Sequence, residues 1–121
     1  MSNVTNMCYM FYKSKFNNNI SDWDVGNVND MDSMFDESEF NGDISDWDVS
    51  NVKRMNSMFH QAEFNGDISS WDVSNVNDME CMFEESEFNS DISNWNINSK
   101  CATDGMFRDC DIDFDYIPES L

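Results

Sequence analysis

The stretch Phe40–Phe59, FNGDISDWDVSNVKRMNSMF, returns almost unchanged as Phe64–Phe83, FNGDISSWDVSNVNDMECMF. The interval is 24 residues, and it runs well beyond these two copies. Trp23, Trp47, Trp71 and Trp95 mark it, as do Ile20, Ile44, Ile68 and Ile92, and Phe35, Phe59, Phe83 and Phe107. A fixed period of this size is the mark of one supersecondary unit stacked on copies of itself.

Within one unit the apolar residues fall into two groups. Ile20, Trp23 and Val25 form an apolar-x-x-apolar-x-apolar string whose Trp-x-Val end alternates, which predicts a short strand. Val28, Met31, Met34 and Phe35 follow at spacings of three, three and one, which predicts two turns of helix. Asn27, Asn51 and Asn75 stand where the caps of such helices belong, with Asp30 set to favour the first helix's positive end. The expected fold is an α/β repeat solenoid, leucine-rich-repeat-like, a right-handed stack of 24-residue strand–helix coils with a parallel sheet. Its core is Ile, Trp, Val, Met and Phe, and the Met stripe is packing.

The chain reads as a single solenoid domain over 1–121. Residues 1–15 are the back half of a unit, with Met7, Met10 and Phe11 at the phases of Met31, Met34 and Phe35. Units two and three are complete. Unit four, Phe88 onward, decays: Ser99, Lys100 and Thr103 replace the Asn, Val and Met. Residues 108–121 are expected to cap the stack, with Asp115–Leu121 as a closing edge strand guarded by Pro118, the chain's one proline.

Composition narrows function. Twenty-five Asp and Glu face six Lys and Arg, a formal charge of −19. Such a chain lacks the basic patches that direct nucleic-acid or anionic-membrane binding needs, and its acidity suits a solvated surface or a basic partner. No apolar run has the length of a membrane span, and the N-terminus shows no basic start followed by an apolar stretch. Cys8, Cys81, Cys101 and Cys110 share no CxxC and no repeat phase, which suits reduced thiols in an intracellular protein; a Cys101–Cys110 bridge is the alternative.

The repeated string FNxDISxWDVSNVxxMxxMF resembles the BspA-type leucine-rich-repeat modules, in full at Phe40–Phe59 and Phe64–Phe83, nearly so at 16–35 and weakly at 88–107. The resemblance implies a right-handed solenoid with a concave parallel sheet, and interaction roles of the kind such repeats have in bacterial surface lipoproteins and adhesins, in protist proteins and in large DNA viruses. The missing export signal favours an intracellular or viral member over a secreted one.

The residues expected to face outward from the strands form columns. One is Ser21, Ser45, Ser69, Ser93; the next is Asp22, Asp46, Ser70, Asn94; the third is Asp24, Asp48, Asp72, Asn96. Asn19, Asp43, Asp67 and Asp91 run just before them. Carboxylates about 5 Å apart repel, so something must relieve them: bonds from neighbouring amides and serines, or a hard cation such as calcium. Asp22-x-Asp24 lacks the later glycine and glutamate of a calcium loop, so no metal or cofactor is assigned. A second ladder, Asn17, Asn41, Asn65 and Asn89, is read as structural. His60 is the sole histidine and has no counterpart in the other units, so no catalytic set can be assembled. The expected function is a non-enzymatic scaffold whose acidic face binds a basic protein inside the cell. The alternatives are a self-assembling protein that pairs with a second copy through its uncovered first edge, and an adhesin fragment of a longer surface protein.

Overall fold

Ile44-Ser-Asp-Trp47 closes on itself. The Trp47 amide donates to the Ile44 carbonyl at 3.2 Å, and Trp23 and Trp71 do the same to Ile20 and Ile68. The segment is therefore a turn with Ser45 and Asp46 at its corner, not a strand. A second turn follows at once, the Val52 amide donating to the Val49 carbonyl at 3.0 Å. Residues 3–121 are described by a computed structural model of the chain. Among them there is no α-helix and no sheet; the one helical element is the 3-10 helix Phe114–Tyr116. The expected α/β solenoid with a parallel sheet is thus overturned. The chain is a stack of turn-built coils, joined by isolated parallel bridges from Asn6 to Asp30, Arg54, Asp78 and Ala102.

The predicted helices fail for a legible reason. Met55–Met58, Ser57–His60 and Phe59–Ala62 are three successive turns, each closed by an amide donating to the carbonyl three residues back, at 3.1–3.2 Å. Residues three apart then share a side, as they nearly do in a helix, so the apolar spacing is the same. The amides between these turns point elsewhere. Met55, Ser57, Phe59 and Gln61 donate to Asp78, Glu80, Met82 and Glu84 of the next coil at 2.8–2.9 Å. An α-helix uses every such amide internally and has none to lend. Alternation between inward and outward amides satisfies the buried backbone without regular secondary structure.

This path needs left-handed backbone at two positions per coil. Ser33, Ser57 and Cys81 have φ of 55°, 56° and 57°, Gly105 has +69°, and Glu37, Gln61 and Glu85 repeat the conformation four residues on. Only one of these is glycine, so the others hold a strained backbone because the stack over-determines it.

Side chains reinforce the stacking. Phe11, Phe35, Phe59, Phe83 and Phe107 form one column of near-parallel rings with centroids 5.5–5.6 Å apart. Phe40, Phe64 and Phe88 form a second, and each packs on the first at 4.2–4.8 Å. The indole nitrogens of Trp47, Trp71 and Trp95 donate at 3.0–3.1 Å to Ile20, Ile44 and Ile68 of the preceding coil. Gly42 and Gly66 admit the second ring column closely: a Cβ on either would stand 2.8 Å from the Phe40 or Phe64 ring. Met31, Met34, Met55, Met58, Met79 and Met82 are fully buried between the coils.

The asparagines tie coils together. Asn17, Asn41, Asn65 and Asn89 each accept, through Oδ1, the amide 24 residues on at 2.7–2.9 Å. Asn51 and Asn75 do not cap helices; their Nδ2 atoms donate to the carbonyls of Gly26 and Ser50, both at 2.7 Å. At the C-terminal end the expected strand Asp115–Leu121 is replaced by the 3-10 helix and a turn in which the Leu121 amide donates to Pro118. Pro118 is buried and guards no strand edge.

Truncating Phe59 to Ala, between two stacked rings, is expected to lower stability by about 3–5 kcal/mol in denaturant unfolding. Ser57→Gly should be at least as stable as wild type, because it relieves the left-handed backbone, whereas Ser57→Val should lose about 1–2 kcal/mol. Equal stability of the two variants would show that residue 57 carries no strain.

Candidate functional site

The acidic columns lie on turns. Asp43, Asp67 and Asp91 each fold back on their own turn and accept the amide of Ser45, Ser69 and Ser93 at 2.9–3.0 Å. Asp48 and Asp72 do the same to Ser50 and Ser74 at 3.0 Å. The serine hydroxyls add a second bond to the same Oδ1: Ser45, Ser50, Ser69 and Ser74 at 2.6–2.7 Å. These hydroxyl bonds, with the amide bonds after them, hold the carboxyls of Asp43, Asp48, Asp67, Asp72 and Asp91 below the usual carboxylate range. The repulsion between like charges in successive coils is therefore met by local hydrogen bonds.

Asp22, Asp24, Asp46, Asp48, Ser70, Asp72, Ser93, Asn94 and Asn96 are exposed, while Ser21, Ser45 and Ser69 are half-buried. Ser21–Asp22, Ser45–Asp46, Ser69–Ser70 and Ser93–Asn94 are the paired corner residues of the Ile-x-x-Trp turns, so they project from a ridge and do not lie on the face of a sheet. Asp24, Asp48 and Asp72 begin the next turn, where Asp24 accepts the Gly26 amide at 3.0 Å. Ser45 and Ser69 are engaged by their own aspartates, and Ser70 donates to the Ser45 carbonyl at 3.1 Å. The groups left to meet a partner are carboxylates more than hydroxyls.

A second polar column was not read from the sequence. Asp36, His60, Glu84 and Arg108 stand one above another in successive coils. His60 Nδ1 lies 2.8 Å from Asp36 Oδ1, His60 Nε2 4.0 Å from Glu84, and Arg108 3.1 Å from Glu84. Burial pushes the Asp36 carboxyl up, and the bond to His60 works against that rise. Beside it Arg54 bridges Asp32 at 2.8 Å and Asp78 at 3.3 Å. The signal was present: acidic and basic residue types alternate when residues 24 apart are read as neighbours. His60 has no identical counterpart in the other units, but the residues 24 before and after it, Asp36 and Glu84, are complementary to it.

Cys8, Asp30 and Asp32 bring ligand atoms within 4.8 Å of one another. Burial, then Asp30, pushes the Cys8 thiol up to about 11, so it is a neutral thiol and a poor metal ligand. Asp32 is occupied by Arg54 and by the Asn56 amide. The four cysteines are unpaired. No helix among the described residues is long and apolar enough to cross a membrane.

A family model described as "Mycoplasma protein of unknown function, DUF285" matches residues 1–63, which is the leading half-unit and the first two full units. The chain belongs to this family. The matched residues include the turns that hold Asp43 and Asp48. No curated protein and no solved structure matches the chain.

Removing the second bond to the aspartates, with Ser50→Ala and Ser74→Ala, should raise the titration of Asp48 and Asp72 in carboxyl NMR. Because the wild-type carboxyls titrate low, the stability these bonds add is present at neutral pH. It is lost as pH falls below the ordinary carboxylate value of about 3.9 and through the folded one. Unchanged titration in the double variant would assign the low values to another cause.

Proposed function

We propose that the chain is a non-enzymatic interaction module, a BspA-like repeat scaffold whose exposed aspartate columns receive a Lys- or Arg-rich protein segment. The observation that carries this reading is the pinning of Asp48 and Asp72, and of Asp43, Asp67 and Asp91 beside them, by their own turns. Carboxylates so held are oriented and ionised before any partner arrives, so little side-chain entropy is lost on contact. Their spacing follows the coil, which suits an extended basic segment lying along the stack. Charge complementarity of this kind raises association rate and selects partners by sign. Four unpaired thiols support a reducing compartment as the setting.

The test is a titration of the 121-residue chain with a fluorescent oligolysine peptide at physiological salt. Changing Asp24, Asp48 and Asp72 together to Asn should weaken binding at least tenfold, about 1.4 kcal/mol. Changing Glu39, Glu63 and Glu87 to Gln removes the same charge from another column and should weaken it far less. Equal losses would reduce the interaction to net charge and end the reading of a defined site.

A further inference from the structure

The two ends of the stack are complementary. Inside it, amides of one coil donate to carbonyls of the next, as Met79, Cys81, Phe83 and Glu85 donate to Ala102, Asp104, Met106 and Arg108. In the first coil the carbonyls of Asn6, Cys8, Met10 and Tyr12 accept no hydrogen bond from the described residues. In the last coil the amides of Thr103, Gly105, Phe107 and Asp109 donate none to the described residues. Counted in repeat phase, these four donors match those four acceptors in order.

Side chains agree with the backbone. The hydrogen bonds of residues 112–121 fall on one half of the last coil, through Tyr116 accepting the Ile92 amide and Asp113 donating to Asn89. On the other half Ser120 and Leu121 come beside Thr103, and there the half-buried Phe107 stacks on Phe83. The matching ring at the other end is Phe11, which is buried and stacks on Phe16, Trp23 and Phe35. Tyr9, Met10 and Tyr12 are 59%, 44% and 41% exposed, although the later residues in the phase of Met10 are buried. Tyr9 would meet Gly105, where there is no side chain, and Tyr12 would meet Arg108 as a cation–π pair.

Charge decides the sign. Lys13 and Lys15 occupy columns that continue as Glu37, Gln61, Glu85, Asp109 and as Glu39, Glu63, Glu87, Asp111. Two of the six basic residues of a −19 chain thus stand on the first coil, opposite the phases of Asp109 and Asp111 on the last. At physiological salt the remaining like charges are screened beyond about 8 Å, which leaves this local match effective.

We propose that the Thr103–Asp111 face receives the Asn6–Lys15 face of a second copy of this chain, continuing the stack head to tail. Such a contact is heterologous and leaves a free face at each end, so it grows by addition. It uses surfaces separate from the aspartate ridge.

Sedimentation velocity from about 10 μM to about 1 mM is expected to show mass rising with concentration. Hydrogen exchange at Thr103, Gly105, Phe107 and Asp109 should slow in parallel. Lys13→Glu with Lys15→Glu, and separately Asp109→Lys with Asp111→Lys, should each weaken association at least tenfold. Their equimolar mixture should recover it, because acidic then meets basic at both junctions. The exchange measurement needs no variant and stands if either one fails to fold. A strictly monomeric wild type, or association without protection of those four amides, overturns the proposal.

Discussion

The interaction on which this molecule depends is the hydrogen bond from a backbone amide in one coil to a carbonyl 23 residues ahead. Met31, Ser33, Phe35 and Glu37 make it to Arg54, Asn56, Met58 and His60, and the pattern recurs in each coil. Such a bond forms only if the alternate amides are satisfied locally, and the successive turns do that. The strained residues at Ser33 and Glu37, and their equivalents, are a consequence: without positive φ the outward amides would not line up. The ladder fixes the vertical spacing, and the spacing in turn suits stacked aromatic rings, with Phe35 to Phe59 at 5.5 Å.

Once coils are held in register, any residue is a neighbour of the residues 24 before and after it. That rule turns a linear sequence into columns. It brings Asn41 to Asn65, Asp36 to His60 and Glu84 to Arg108. It also stacks like charges, as in Asp43, Asp67 and Asp91, and each of these is relieved within its own turn. The contrast separates two kinds of polar column. Asp36, His60, Glu84 and Arg108 brace the stack by contacts between coils, whereas Asp43, Asp67 and Asp91 are held within their own turns and stay exposed.

Much of this is legible in the sequence. The period located Met31, Met34, Phe35 and their repeats Met55, Met58, Phe59, Met79, Met82 and Phe83 in the core, where they are buried, whereas Met10 at the phase of Met34 is exposed. The Asn17 ladder was assigned to backbone tying, and it ties backbone. The relief of Asp48 by a neighbouring serine and amide was among the readings weighed, and it is realised in Ser50. The error was in secondary structure. Spacing of three between apolar residues is shared by a helix and by consecutive turns, and nothing in Val28, Met31 and Met34 alone distinguishes them. Asp43 and Ser45 around Ile44 carry a turn signal that the strand reading, based on the β-branched and aromatic residues nearby, does not include.

The sequence by itself determined the repeat, its length, the identity of the core residues and the acidity of the surface, because each follows from which residue types recur at which interval. Only the tertiary structure decided whether a coil is a strand and helix or a run of turns, because that rests on where each amide points, and the partner of an outward amide lies one full coil away. The same limit hid the His60 column. Its members are distant in the chain and differ in type, and only stacking shows that they are complementary. The opening stretch Phe40–Phe59 is thus one coil whose local backbone is held by its neighbours and not by its own propensities.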